Sequence, residues 1–289
     1  MAYIATAELA SAVSSAGGLG IISAGINEPA WVRNEIRKAK KLTDKPFGVN
    51  IMLLSQYADE IADIVIEEKV AVVTTGAGSP AKYIEKWKQA GIIVIPVIAS
   101  TAHAKKMEKS GADAVIAEGM EAGGHVGETT TMCLIPQVVD SVSIPVIAAG
   151  GIADGRGMAA SYMLGADAIQ IGTRFLVAKE CPIHENYRNG VLEAKDISTI
   201  VTGKRPGLHP VRSLKTTMSR DFFQKEFDST IEHSELEQMG KGAYKLAVES
   251  GDMERGCFLC GQIAGLVNKE QTCKEIIEEI MQEATALLK

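Results

Sequence analysis

Ile144–Phe175, IPVIAAGGIADGRGMAASYMLGADAIQIGTRF, reads as strand, glycine turn, helix, strand and second glycine turn. Ile144–Ala149 is a continuous apolar run ending at Gly150-Gly151, as expected of a parallel strand buried on both faces. Gly155–Leu164 is rich in Ala and Met and stops at Gly165, a usual helix terminator, after which Ala168–Ile171 returns to strand. That strand breaks at Gly172-Thr173-Arg174. Two glycine turns thus follow two neighbouring strands. In a (β/α)8 barrel the loops after the last two strands commonly hold a phosphate, because glycine lets backbone N–H groups approach the oxygens with no Cβ in the way.

Working outward, further apolar strand candidates are Leu19–Ser23, Phe47–Leu53, Val70–Thr74, Ile92–Ile98 and Ala112–Ala117, which brings the total to seven. Amphipathic stretches such as Trp31–Lys41, Tyr57–Glu68, Pro80–Ala90 and Ala102–Ser110 lie between them. The alternation implies a parallel sheet with helices outside it. The expected fold is therefore an α/β (β/α)8 TIM barrel with a C-terminal helical extension. The barrel's first strand is apparently missing, because Met1 leads almost directly into a helix pattern at Thr6–Ala16. An echo, Gly111-Ala112-Asp113-Ala114 and Gly165-Ala166-Asp167-Ala168, enters strands from helix ends, each glycine serving as a left-handed cap. Residues 1–177 are expected to form the barrel core, and 178–289 a helical cap with no further strands. The tail Lys269–Leu288 reads as a helix docked on the barrel through Ile276, Ile277, Ile280, Met281, Ala284, Leu287 and Leu288.

The chain's 289 residues suffice for one barrel, which typically takes about 250. A formal charge of −6, with no basic run interleaved with aromatics, argues against a nucleic-acid partner. No apolar stretch reaches about 18 residues and no signal-peptide pattern opens the chain, so a cytoplasmic protein with no membrane partner is expected. Five cysteines include a Cys257/Cys260 pair, but no second pair or suitably spaced histidines complete a zinc site. Reduced thiols in a helical region, and no metal, are expected.

Barrel active sites lie at the carboxyl ends of the strands. The candidates there are Asn50, Thr74–Gly78, Ala99-Ser100, Glu118–Gly127 and the two glycine turns. Only the loop EGMEAGGHVG carries an imidazole, His125, whose ordinary pKa of about 6.5 suits proton donation near neutrality. A loop histidine that only hydrogen-bonds carbonyls fits the pattern equally well. Glu118 and Glu121 flank the same loop, where ribose, amide and solvated roles are all open. His103, His184, His209 and His233 read as structural or solvated. Neither a Rossmann fingerprint nor a Walker A is present, so a nucleotide such as FMN would be gripped by the barrel's own loops. A flavin-free sugar-phosphate isomerase or lyase would use the same phosphate turns.

The blocks AGGLGII (Ala16–Ile22), DKPFGVNIMLLS (Asp44–Ser55), VVTTGAG (Val72–Gly78), GADAVIAEGMEAGGHVG (Gly111–Gly127), IPVIAAGGIADG (Ile144–Gly155), IGTRF (Ile171–Phe175) and GQIAGLV (Gly261–Val267) resemble the FMN-dependent enoyl-acyl-carrier-protein reductase II family, FabK. The related nitronate monooxygenases share the EAGGH and AAGGI elements. The resemblance implies FMN contacts at Asn50, Thr75, Gly76 and Glu118. It implies that Gly123, Gly124, Gly150, Gly151, Gln170, Gly172 and Thr173 hold the ring edge, ribityl chain and phosphate. His125 falls at the family's catalytic histidine. The family's first strand ends in a glycine pair before Met-Ala; here Met1-Ala2 stands at that place, so Met1 is expected at the flavin. Also implied are NADH or NADPH as co-substrate, acyl carrier protein carrying an enoyl thioester, a response to monovalent cations, and room for a homodimer. Lys204, Arg205, Arg212 and Lys215 are the candidate docking patch for an acidic carrier.

Overall fold

The structure is a computed structural model that describes residues 1–289. In chain order its elements begin α1 (Ala7–Ser15), β1 (Gly20–Ser23), α2 (Pro29–Leu42), β2 (Phe47–Met52), α3 (Ala58–Glu67), β3 (Val72–Gly76), α4 (Ala81–Gln89) and β4 (Ile93–Ile98). They continue with α5 (Thr101–Lys109), β5 (Val115–Glu118), β6 (Gly124–His125), α6 (Thr131–Val139), β7 (Val146–Ala149), α7 (Gly155–Met163) and β8 (Ala168–Gln170). The C-terminal part holds α8 (Glu185–Leu192), β9 (Thr199–Thr202), β10 (Val211–Leu214), α9 (Thr217–Lys225), α10 (His233–Gly240), α11 (Ala243–Glu249) and α12 (Cys273–Leu287).

The seven expected strands form one parallel sheet in the order β1-β2-β3-β4-β5-β7-β8. This is an α/β, TIM-barrel-like sheet that stays open between β8 and β1. Val32, Ile36, Ile61, Val65 and Trp87 pack the helices onto the outer face of the early strands. A small inner cluster of Val72, Ile95, Ala114, Ile116 and Ala149 fills the barrel. At the open seam Ala168 on β8 is exposed, while the Ser23 N–H on the other edge donates to the Ala5 carbonyl at 2.9 Å. Outside the seam, α12 spans from α7 to α1. The approach is tight: a Cβ on Gly155 would stand 2.7 Å from the Ile280 carbonyl oxygen.

The repeated Gly-Ala-Asp-Ala unit does more than end a helix. Gly111 and Gly165 take φ of +93° and +95°, conformations that side chains resist. Two residues on, Asp113 accepts from the Val94 N–H and Asp167 from the Val146 N–H, each at 2.9 Å. In return their own N–H groups donate to the carbonyls of Val94 and Val146. Each aspartate thus fastens the entry of its own strand to that of the preceding one.

Two expectations for the C-terminal part are corrected. Rather than loop and helix alone, it contains β9 and β10, which with β6 make a three-stranded antiparallel sheet in the order β6-β10-β9. These strands are four residues or shorter and carry Thr, Arg and Ser, so no apolar run marks them. Cys257 and Cys260 lie in an extended segment beside β10, joined by the Ser213–Leu259 bridge, and not in a helix. All five thiols are free, and burial pushes Cys260 up to about 12, so it stays protonated and inert. One core runs through both parts of the chain, since Ile4, Leu9 and Phe175 share a cluster with Val191, Leu214 and Phe258.

Candidate functional site

Parallel register lines up the expected site residues along the carboxyl ends of the strands. Ser23 pairs with Asn50 and Asn50 with Thr74, while Glu118 and Gln170 flank Ala149 on either side. Asn50 donates its amide to the Thr74 hydroxyl at 2.9 Å, which fixes its orientation. Beside it the Thr75 hydroxyl is buried with no partner, an expensive state for a polar atom. Gly76 follows, with nothing near where a Cβ would stand. Glu118 is partly buried; loss of hydration pushes its carboxyl up to about 7, opposed by the nearby chain-terminal amino group.

At the two glycine turns Gly150 and Gly151 adopt φ of +84° and +74°. The N–H groups of Gly150, Gly151 and Gly172 donate to no acceptor in the protein. Free backbone amides unobstructed by side chains are the kind of group that binds anions. Gly172 has only the Met1 side chain close to its would-be Cβ, the sulfur at 3.8 Å and Cγ at 3.9 Å, so Met1 reaches the second turn. An unpartnered buried hydroxyl at Thr75, free amides at both turns and a carboxyl at Glu118 raised to about 7 are features that fit the polar groups of FMN.

Other expected residues serve the scaffold. A Cβ on Gly123 would stand 2.5 Å from the Cys260 carbonyl carbon, so this glycine lets the C-terminal segment press against the loop. The Thr173 hydroxyl accepts from the Gly261 N–H at 2.8 Å, and the Gln262 N–H donates to the Glu121 carbonyl at 2.9 Å. Glu121 itself caps α6, accepting from the Thr131 N–H at 2.9 Å and from its hydroxyl at 3.0 Å. The GQIAGLV block thereby locks the EAGGH loop to the second glycine turn.

His125 lies on β6, where it pairs with Val211 of β10 next to the Gly124–Arg212 pair. Its ring is exposed and meets His209 edge-on at 6.1 Å between centroids. Partial desolvation, then the charge of His209, lowers its pKa, so the imidazole is neutral at pH 7 and retains one N–H to donate. Sequence reasoning missed His209, which reads as one more cap histidine. It also misplaced Arg212, expected in a basic docking patch. The buried guanidinium donates to the Met120 carbonyl at 3.1 and 3.3 Å and to the Thr199 hydroxyl at 3.1 Å, gripping the loop that carries His125. Arg205 is likewise engaged, with the carbonyls of Ile231 and Asp228, which leaves Lys204 and Lys215 as the exposed members of that patch. Val211-Arg212-Ser213-Leu214 sets its two polar residues side by side and its burial does not alternate, so no local pattern marked Arg212 as a strand residue.

This geometry agrees with what known proteins resemble. The sequence profile of the nitronate monooxygenase family matches residues 1–65 and 55–283. A solved structure of FabK from Thermotoga maritima is 50% identical, covers 100% of this chain and 91% of that one, and superposes with a TM-score of 0.96. The (3aS,4S,5R,7aS)-5-hydroxy-7a-methyl-1-oxo-octahydro-1H-indene-4-carboxyl-CoA dehydrogenase of Mycobacterium tuberculosis is 34% identical over 98% of this chain and 91% of its own. A probable nitronate monooxygenase of Staphylococcus saprophyticus is 33% identical over 100% of this chain and 94% of its own. Fold, site and relatives define an α/β-barrel flavoprotein oxidoreductase. The chain belongs to the nitronate monooxygenase family. No helix is long and apolar enough to cross a membrane.

Proposed function

We propose that this protein is an FMN-dependent reductase of trans-2-enoyl thioesters carried on acyl carrier protein, with NADH or NADPH as the electron source. The observation that carries the reading is the 50% identity to FabK along the entire chain, with the strand ends and glycine turns intact. Bound there, FMN supplies the hydride chemistry between the nicotinamide and the β-carbon of the enoyl group. The protein contributes placement and charge. Amides of Gly150, Gly151 and Gly172 would hold the phosphate of FMN. Asn50, Thr75, Gly76, Glu118 and Gln170 would hold its ring edge, with Met1 at the side of the second turn. Gly123, Gly124 and Thr173 shape the loop that brings His125 over the mouth. The neutral imidazole donates its N–H to the thioester oxygen, where negative charge collects, or passes that proton to the α-carbon.

The family profile and the Staphylococcus relative favour a second reading, oxidation of alkyl nitronates with oxygen. NADH oxidation that depends on a crotonyl thioester supports the reductase; oxygen uptake with an alkyl nitronate and no need for NADH supports the oxidase. In the reductase, His125→Ala is expected to keep FMN bound and lose about 100-fold in turnover. Turnover at the parent rate would remove His125 from the chemistry.

A further inference from the structure

His125 faces a second exposed imidazole, His209, with ring centres 6.1 Å apart and ring planes at 71°. The backbone fixes that spacing. Val211 pairs with His125 in the antiparallel ladder, and the Val126 N–H donates to the Pro210 carbonyl at 3.1 Å, so the residues that follow the two histidines are bonded to each other. The turn that leads to His209 is closely built as well. Gly203 takes φ of +81°, and a Cβ there would stand 2.5 Å from the His209 carbonyl oxygen. The Gly203 and Lys204 N–H groups donate to the buried Glu226 carboxylate at 2.6 and 2.8 Å. Gly127, two residues past His125, lies against Ala99 just beyond β4, its would-be Cβ 2.9 Å from the alanine methyl. The pair of imidazoles therefore stands at the carboxyl ends of β4 and β5.

We propose that His209 is a second catalytic residue, which joins His125 in donating to the thioester oxygen, so that the two imidazoles form an oxyanion hole. An oxygen that accepts from a ring N–H lies about 4 Å from that ring's centre, so rings 6.1 Å apart can both donate to one oxygen, at about 100° to each other. His209 keeps an N–H in either charge state. A neutral His125 that gave its only N–H proton away would be left as an imidazolate, so it acts as a hydrogen-bond donor and not as an acid. This assignment rests on the enoyl reductase reading. When the β-carbon receives hydride, the π electrons of the enoyl group move onto the thioester oxygen as an enolate. Both N–H bonds stay intact while that oxygen is held. The enolate then takes a proton from water onto the α-carbon, and the carbonyl re-forms. Two donors aimed at one developing charge lower the barrier more than one.

The probe is acetoacetyl-CoA, whose enolate absorbs in the near ultraviolet and shares its charge with the thioester oxygen. Difference spectra of the FMN-loaded protein at neutral pH, without NADH, should show the enolate band in the parent. The band is expected to vanish in His209→Leu and to persist in part in His209→Gln, whose amide still donates. Turnover of crotonyl-CoA with NADH should fall about 100-fold in His209→Leu, with KM for NADH unchanged, and recover in part in His209→Gln. Both variants change an exposed side chain, so the fold is retained. A parent without the band, or a band and a turnover that His209→Leu leaves at the parent level, overturns the proposal. Equal losses in the Leu and Gln variants would give His209 a steric role and overturn it too. A band that depends on His209 in a protein without thioester-dependent NADH oxidation would keep the imidazole pair as an enolate site and remove the reductase reading.

Discussion

Glu118 shows how a single side chain registers the polarity of the site. Its folded-state pKa of about 7 stands above the ordinary 4.5, so the fold favours the protonated acid. Between those two values the unfolded chain has released the proton and the folded one still holds it, so stability falls as pH rises through the window. Glu118→Gln removes that dependence. Urea unfolding of the flavin-free protein should show the variant gaining about 1–2 kcal/mol over the parent at pH 8 and nothing at pH 4.5, after allowance for partial exposure. Equal offsets at both pH values would show that burial does not control this carboxyl. At this scale the sequence disclosed identities better than settings. His125 stood out because one loop among the strand ends held an imidazole. Its neighbours did not, since His209 and Arg212 arrive from a strand pair across the cap and no local spacing links them to the loop.

Among the elements, the Gly-Ala-Asp-Ala unit is the clearest case of sequence dictating geometry. The glycine turns the chain out of the helix and the aspartate fastens one strand to the next. Asp167→Ala leaves the Val146 N–H without its acceptor and is expected to cost about 1–2 kcal/mol in denaturant unfolding. A change within about 0.3 kcal/mol would mean the carboxylate fastens nothing. Most of the parallel strands were legible because they are largely buried and so read as apolar runs, and β8, part-exposed at the open seam, because glycine turns bracket it. β6, β9 and β10 were not, being four residues or shorter and built largely from Gly, His, Thr, Arg and Ser. The tail helix was legible as an element but too generous as a face. Only Cys273, Ile276, Ile280 and Ala284 are buried where it crosses α7 and α1, and Met281, Leu287 and Leu288 remain exposed.

On the scale of the whole molecule, the parallel sheet gathers its chemistry at one rim and the C-terminal part closes over it. Gly123, Thr173 and Gly261 interlock barrel and cap, so the EAGGH loop is held from below by the strand ends and from above by Arg212. The glycine pattern announced the two turns, and at the first of them Gly150 and Gly151 take the positive φ that favours glycine. The central claim is that this rim carries a flavin that passes hydride to an enoyl thioester. Anaerobic titration of the purified, FMN-loaded protein tests it most directly. NADH should bleach the flavin absorbance near 450 nm (an approximate position for a bound flavin), and a stoichiometric crotonyl thioester should restore it without oxygen. Absorbance that stays bleached until air is admitted would contradict the account.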